Sequence, residues 1–244
     1  MRQIEKGEMP EFLHEWLEQE VPQNRKYKTF PHKSQLRGVL VAEQYGLCAY
    51  CLCRIEDSSA TTHIEHLRPQ HLDRDNSAGT QTDYKNVVAS CPGDQDFEGA
   101  QQDLEKPEEQ LHCGHGKREW YDEALFVNPI TSLADRAYTF GLDGSIQIAS
   151  DLTAAERAAA EESMKRLRLD SSLLHGSRQA AIQAVLTNLI KRIKGFYDEP
   201  TTAQTREVYE AVLDELAQRD DEGRLAPFQP VLVQAIRLKL AHFT

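Results

Sequence analysis

Residues 48–69, CAYCLCRIEDSSATTHIEHLRP, contain the two motifs on which the fold depends. The first motif, Cys48-Ala49-Tyr50-Cys51, has the C-x2-C spacing at which two thiolates from one tight loop reach a single tetrahedral zinc ion. The second motif, Glu65-His66, places a carboxylate directly before an imidazole. Their proximity indicates that the metal chemistry and the site chemistry are concentrated in one part of the chain.

All five cysteines lie between positions 48 and 113. A zinc ion held by Cys48 and Cys51 needs two more ligands, and Cys91 and Cys113 are the natural pair. A structural zinc site can join such distant segments because its binding free energy, roughly 10–16 kcal/mol in zinc-finger peptides, becomes folding free energy. A redox C-x-x-C and separate buried thiols are the alternatives. Cys53 is left over, either as a small buried hydrophobe or as a substitute for one of the four ligands.

Length and composition limit the class of protein. The chain has 244 residues, with 28 Lys and Arg against 39 Asp and Glu, which gives a formal charge of −11. A chain of this length buries an ordinary core without disulfides, and an odd number of cysteines fits a disulfide framework poorly. Since there is no run of about eighteen apolar residues and no signal-peptide pattern, we expect a cytoplasmic protein. Taken alone, the negative net charge argues against a generic nucleic-acid binder.

The charge is unevenly distributed along the chain. The segment Asp94–Glu109 holds seven acids and one base, which is typical of a solvated insertion. Upstream, a run without any acid is locally basic, and it contains Arg25, Lys26, Lys28, Lys33 and Arg37. The net charge is therefore a poor guide to the substrate.

The spacing of apolar residues predicts the regular elements. Helical spacing predicts two helices before the cysteines, over about 12–21 and 36–47. Alternation predicts a hairpin in which Tyr138–Leu142 pairs with Ile146–Ile148 through a type I′ turn at Asp143-Gly144. Thr153 and Glu156 form a capping box that begins an Ala-rich helix. Further amphipathic helices are expected over 182–196, 207–218 and 231–243.

The Glu65-His66 pair has the composition of a hydrolytic centre. Hydrolysis of a phosphodiester needs a divalent cation on the phosphate and a base for the water. Glu65 offers a hard oxygen to the cation, and His66, with an unperturbed pKa near 6.5, can take the proton at neutral pH. The side-chain amide of Asn86 could complete the cation shell or orient the imidazole.

The order of these motifs resembles that of the HNH, or ββα-metal, endonucleases. The order is C-x2-C, Glu-His-x-x-Pro, Asn with Cys five positions later, and Cys with Lys four positions on, over roughly 46–117. The resemblance implies an α+β fold with a small zinc-braced ββα-metal core, N-terminal helices and a mainly α-helical C-terminal half. It implies that His66 is the general base, that Glu65 and Asn86 are metal-site residues for magnesium or manganese, and that the zinc ligands are Cys48, Cys51, Cys91 and Cys113.

Looser motifs extend the resemblance over most of the chain. Among them are Phe126-Val127-Asn128-Pro129 and Gly144-Ser145-Ile146, which are similar to the PtuB-type HNH proteins of Septu and retron-associated anti-phage defence systems. That family implies a nuclease effector beside a PtuA-type ABC ATPase and, in some systems, a retron reverse transcriptase with its RNA–DNA hybrid. The expected division is a helical arm with the basic segment (1–45), the nuclease core (46–130) and a partner-binding hairpin and helices (131–244).

The sequence departs from the HNH pattern after the fourth cysteine. Many HNH sequences have a histidine there, whereas this chain has Gly114, with His112 and His115 nearby. Because a side chain's direction changes with each residue, we rank Asn86 above His115 as a cation ligand. His63 shares a strand face with Glu65 if the segment is extended, and is otherwise a partly exposed polar residue. His71 lies in a polar loop and is expected to be solvated.

A nucleic-acid substrate, whether DNA or RNA such as transfer RNA, requires positive charge at the site. The candidates are Arg25, Lys26, Lys28, Lys33, Arg37, Arg68 and Lys117, each of which is equally well read as part of a solvated basic loop. So few basic side chains predict that nucleic-acid binding is weak and salt-sensitive and that a partner strengthens it. The alternative function is a zinc-stapled adaptor that binds the ATPase partner without catalysis of its own.

Overall fold

A computed structural model describes residues 1–21, 24–93 and 111–243 of the chain. The acidic segment 94–109 lies outside the described residues. Within them the chain forms eight α-helices and two small two-stranded antiparallel sheets. This mixture of helices and sheets confirms the predicted α+β class in its general form.

The two N-terminal helices are shorter than predicted. Helix α1 spans Glu11–Gln19 and helix α2 spans Lys33–Glu43. Val21, expected in the first helix, lies beyond its end and is 47% exposed. Helix α2 stops before Leu47 because Tyr45 and Gly46 adopt positive φ, a conformation that terminates helices.

The first sheet joins the two halves of the cysteine region. Strand β1 (His63–His66) pairs antiparallel with strand β2 (Val87–Ser90), and Glu65 lies opposite Val88. Every residue of β2 is buried, so this strand runs through the core. The short helix α3, Cys113–Lys117, follows in the chain. The condition under which His63 and Glu65 share a strand face, an extended segment, is therefore met.

A second sheet follows helix α4 (Leu133–Arg136) and is the predicted hairpin. Its strands are β3, Tyr138–Phe140, and β4, Ile146–Ile148. The predicted type I′ turn is wrong, because that turn needs two residues at positive φ and only Gly144 in this fully described turn has it. Asp143 instead accepts hydrogen bonds from the backbone and hydroxyl of Ser145, as Asp commonly does in turns.

Four helices complete the chain, and their predicted existence is confirmed. They are α5 (Ala154–Leu167), α6 (Ser172–Phe196), α7 (Thr202–Ala217) and α8 (Gln229–Leu240). The capping box of Thr153 and Glu156 is present at the start of α5. Helix α6 begins earlier than its apolar stripe suggested, because the side chain of Ser171 accepts a hydrogen bond from the Leu174 amide and caps it there.

Buried hydrophobic residues from the N-terminal helices, the cysteine region, the hairpin and the C-terminal helices form one cluster. The C-terminal helices therefore pack against the same core that encloses the cysteines. None of the described helices combines the length and the apolar character needed to cross a membrane.

Candidate metal centre and active site

Four cysteines converge in the core. The ligand atoms of Cys48, Cys51, Cys91 and Cys113 all lie within 4.8 Å of one another, and each residue is at most 4% exposed. The sulfur atoms of Cys48 and Cys113 are 3.9 Å apart, and those of Cys51 and Cys91 are 3.7 Å apart. None of the cysteines forms a disulfide. The predicted set of four is confirmed as a cluster that can hold a structural metal ion such as zinc.

The strand register brings these cysteines together. The loop after helix α2 carries Cys48 and Cys51, and the Ala49 amide in this loop donates to the carbonyl of Ala89 on β2 at 3.1 Å. Cys91 follows directly after β2, and Cys113 begins helix α3. A metal bound here would therefore join the loop, the strand and the helix.

The thiols of this cluster have shifted pKa values. Burial raises the pKa of Cys48, but its hydrogen bonds with Cys113 and Cys51 outweigh burial and hold that pKa well below its usual range. Burial, together with the hydrogen bond to Cys48, raises the pKa of Cys113 well above its usual range. Closely packed thiols of this kind are suitable zinc donors. The redox alternative fits poorly, because Cys48 lies in a loop and not at the start of a helix.

Two residues beside the cluster, Cys53 and His112, form hydrogen bonds with its cysteines. Cys53 is 9% exposed and lies outside the set of four, and its carbonyl accepts from the Cys48 amide at 2.9 Å. His112 is fully buried, with Nδ1 3.1 Å from the sulfur of Cys113. His112 therefore belongs to the thiol cluster.

Glu65 has one oxygen in the protein scaffold and one directed toward a cavity. Its Oε1 lies 2.9 Å from Nζ of Lys117 and 3.4 Å from the hydroxyl of Tyr50. Its Oε2 lies 3.6 Å from Nε2 of His63. Burial opposes ionisation, but the hydrogen bond from His63 and the charge of Lys117 lower the pKa of Glu65. The carboxylate is therefore ionised at neutral pH.

Two imidazoles accompany Glu65 in the cavity. The rings of His63 and His115 have centroids 4.5 Å apart and planes at 73°. Nδ1 of His63 is buried and has no hydrogen-bond partner among the described residues. A cavity of about 330 Å³ is lined by His63, Glu65, Leu111, Gly114, His115 and Arg118. Of the two possibilities considered for His63, the structure places it in the site.

The cavity explains why a glycine follows the fourth cysteine. A Cβ added to Gly114 would lie 2.7 Å from Oε2 of Glu65 and 2.8 Å from Nε2 of His63. Any side chain there would fill the space between Glu65 and His63. Because Gly114 leaves that space open, the ring that reaches the cavity comes from the next residue, His115.

The structure places Asn86 in the scaffold of the site. Its Oδ1 accepts from the Arg68 amide at 2.8 Å, and its Nδ2 donates to the carbonyls of Arg68, at 3.1 Å, and Thr80, at 2.8 Å. These bonds fasten the segment after β1 to the start of β2. Since they use both ends of the amide, we correct the prediction that ranked Asn86 above His115 as a cation ligand.

His66 is buried, at 6% exposure, and its proton is placed by a carbonyl. Its Nε2 lies 2.9 Å from the backbone oxygen of Gln81, which can only accept, so Nε2 carries the hydrogen. In the neutral ring the lone pair is then on Nδ1, 3.4 Å from Nε2 of Gln70. Burial lowers the pKa of His66, although the Gln81 carbonyl opposes this shift. The imidazole is therefore a neutral proton acceptor at pH 7.

The predicted phosphate-binding residues have different environments. Lys117 is 2% exposed, and its ammonium pairs with Glu65 and donates to the carbonyl of His66 at 3.3 Å. It therefore supports the site from inside and does not face solvent, contrary to our expectation. Arg37 pairs with Asp57 at 2.8 Å, whereas Arg68 is exposed.

The other basic residues lie in the segment before helix α2 and at the first residue of that helix, Lys33. Nε of Arg25 donates to the carbonyl of Glu20 at 2.9 Å, and Lys28 is exposed. Lys26 and Lys33 are partly buried. His71, expected to be solvated, is partly buried with Nδ1 3.8 Å from a carboxylate oxygen of Glu119. The basic surface near the site is therefore small.

Sequence reasoning gave Tyr50 no role and made Lys117 a phosphate contact, whereas these two side chains hold Oε1 of Glu65. Tyr50 lies inside the C-x2-C motif, and Lys117 lies one helical turn after Cys113 on α3. The cysteine cluster places both side chains, since each is carried by a segment that the cysteines bring together. The chain matches no family model and no curated protein.

Proposed function

We propose that the protein is a metal-dependent endonuclease of the HNH type that hydrolyses phosphodiester bonds of DNA, or of RNA such as transfer RNA. The observation that carries this proposal is the single cavity formed by His63, Glu65 and His115, with the oriented imidazole of His66 on the same strand. An ionised carboxylate and two imidazoles can bind a divalent cation, and a neutral imidazole can activate water.

The cation would be held by His63, Glu65 and His115. The fit rests on the open space beside Gly114 and on the one oxygen of Glu65 that Lys117 does not bind. A divalent cation in this site supplies a Lewis acid for a phosphoryl oxygen. Two imidazoles beside one carboxylate favour manganese over magnesium, because magnesium prefers oxygen ligands.

His66 acts as the general base. Its Nδ1 accepts a proton from the attacking water while Nε2 keeps its hydrogen bond to the carbonyl of Gln81. The lowered pKa keeps Nδ1 unprotonated at neutral pH. A positioned general base of this kind contributes roughly 10²–10⁴ in rate.

The cysteine cluster holds zinc as a structural ion. Four thiolates leave no open position for substrate, as expected of a structural site. Zinc held by the four cysteines would join helix α3, which carries His115 and Lys117, to strand β2, which pairs with the strand that carries Glu65. The folded cluster is therefore what sets the geometry of the cation site.

The sequence resemblance supports a role in anti-phage defence beside a PtuA-type ATPase, with a retron reverse transcriptase and its RNA–DNA hybrid in some systems. The structure adds a physical reason for a partner. Lys117 is buried against Glu65 and Arg37 pairs with Asp57 at the surface, so fewer cations remain for phosphates than the sequence suggested. A partner would supply the missing positive surface.

The test is co-purification from the native operon, followed by cleavage assays on DNA and RNA pools with manganese or magnesium. We expect cleavage by the wild-type protein, alone or with its partner, and loss of cleavage in Glu65→Gln. Absence of cleavage with every metal, while partner binding persists in both proteins, would favour the adaptor instead.

A further inference from the structure

The segment 24–33, which we call the basic arm, lies against the proposed general base. Tyr27 begins a short 3₁₀ turn in this arm, and its ring centroid is 4.6 Å from that of His66. The two ring planes meet at 81°, an edge-to-face arrangement of the kind that stabilises ring pairs. Tyr27 is therefore a wall of the pocket that encloses the imidazole.

The basic arm is anchored on the same loop that fixes the proton of His66. The side chain of Asn76 donates to the carbonyl of Arg25 in the arm, and its Oδ1 accepts from the Gln81 amide at 3.0 Å. The carbonyl of Gln81 is the partner of His66 Nε2. One residue, Asn76, thus ties the position of the arm to the position of the imidazole.

Two hydrogen bonds hold the ring of His66 at its nitrogen atoms, one from Nε2 to the Gln81 carbonyl and a longer one, 3.4 Å, between Nδ1 and Nε2 of Gln70, and they still allow the ring to tilt about its Cβ–Cγ bond. The edge-to-face contact with Tyr27 removes this freedom, because a rotated imidazole would collide with the phenol ring. Nδ1, the proton-accepting atom, is then held in one direction. A displacement of about 1 Å in a reacting group can cost roughly a hundredfold in rate.

Lys33 places a positive charge next to this contact. Its ammonium lies 5.0 Å from the centroid of the Tyr27 ring and donates to the carbonyl of Lys28 at 3.1 Å. Lys33 forms no salt bridge within the parts of the chain that the structure describes. Its charge is therefore not neutralised by a described carboxylate.

We propose that the basic arm acts on the reaction through two neighbouring side chains. Tyr27 is a positioning residue that fixes the direction of His66, and Lys33 binds a phosphate that flanks the scissile phosphate on the same nucleic-acid strand. This inference rests on the proposed nuclease function. It assigns the arm a role in the chemical step as well as in binding.

Single-turnover cleavage by the full-length protein, with its partner if one is needed, separates the two roles. Tyr27→Ala should lower the rate at saturating nucleic acid about ten- to a hundredfold and leave the half-saturating concentration unchanged. Tyr27→Phe keeps the ring and should stay within about twofold of wild type. Lys33→Gln should raise the half-saturating concentration, reduce the salt slope by about one and leave the saturating rate unchanged.

A second measurement does not depend on activity. Long-range ¹H–¹⁵N spectra of the zinc-loaded protein should show His66 as one sharp form with the proton on Nε2 in wild type and Tyr27→Phe. Tyr27→Ala should broaden or split these signals. Tyr27→Leu, which keeps apolar bulk without a ring, replaces Tyr27→Ala if the latter does not fold.

The outcomes are distinct. Unchanged His66 signals in Tyr27→Ala, or a loss in that variant confined to the half-saturating concentration, would overturn the positioning role. An unchanged half-saturating concentration in Lys33→Gln would overturn the phosphate contact. If no protein cleaves but the His66 signals respond to Tyr27→Ala, the nuclease proposal fails while the positioning contact stands.

Discussion

Replacement of Cys91 by serine should weaken metal binding and lower the stability of the whole chain. Cys91 is fully buried, and its sulfur lies 3.7 Å from that of Cys51. Serine keeps the size of the side chain nearly unchanged but removes one thiolate donor. The remaining three cysteines would then have to hold zinc with one position open to a weaker ligand.

The size of the effect follows from the number of ligands. If four thiolates share an apparent binding free energy of roughly 10–16 kcal/mol, one thiolate contributes about 2.5–4 kcal/mol. In a chain of this length each kcal/mol shifts the melting temperature by roughly 2–4 °C, so Cys91→Ser should melt about 5–16 °C lower. Because the cluster lies in the single hydrophobic core, the loss should appear as one shifted transition.

The assay is calorimetry combined with metal analysis of the purified proteins. Cys53→Ser is the matched control, because Cys53 is a nearby thiol outside the set of four. Wild type and Cys53→Ser should each carry one equivalent of zinc and melt within a few degrees of each other. A full zinc equivalent with an unchanged melting temperature in Cys91→Ser, or zinc loss in Cys53→Ser, would refute the assignment of the four ligands.

Three further predictions concern the cation site. Gly114→Ala should weaken manganese binding in a calorimetric titration, because its Cβ enters the cavity. Gly176→Ala, whose Cβ meets no atom within 4 Å, is the control: it should bind manganese as wild type does, with unchanged or slightly higher stability. Equal manganese affinities in the two variants would contradict the cavity. Cleavage should rise with pH as His66 loses its proton, and the midpoint of this rise should lie below pH 6.5, because burial lowers the pKa of His66 from that ordinary value; a midpoint above 6.5 would contradict this. Lys117→Met removes the buried partner of Glu65 and should cost roughly 3–5 kcal/mol in urea unfolding, so an unchanged midpoint would exclude a stabilising pair.

The cluster of four cysteines was the part of the site that the sequence predicted best. Cysteines are few, and the spacing of Cys48 and Cys51 restricts how they can serve one ion. The positions of Cys91 and Cys113 then follow from the need for four ligands. A pair of strands around Glu65 was also expected, because the resemblance to the HNH endonucleases implies a ββα core.

The residues of the proposed cation site were harder to predict, because their positions depend on contacts between distant residues. The amide of Asn86 bonds to the backbone of residues 68 and 80, and sequence spacing does not reveal those partners. The direction of His115 depends on Cys113, which begins helix α3 with a positive φ of 58°. A residue at positive φ changes the direction of the chain, so counting along an ideal helix fails there.

The turn of the hairpin and the start of helix α6 show the same limit. The sequence Asp143-Gly144 permits a type I′ turn, but Asp143 bonds to Ser145 and the carbonyl of Gly144 accepts from the buried Arg178 at 2.8 Å. Helix α6 begins at its Ser171 cap, before its apolar stripe. Local hydrogen bonds and tertiary contacts therefore decided details that apolar periodicity had left open.

The most direct test of the central claim is the cleavage rate of His66→Ala measured beside wild type in the same manganese buffer. His71→Ala is the matched control, because His71 lies just after β1 and its Nδ1 faces Glu119. We predict that His66→Ala is slower by about a hundredfold or more and that His71→Ala cleaves at nearly the wild-type rate. Equal rates for wild type and His66→Ala would contradict the claim that this imidazole is the general base of a nuclease.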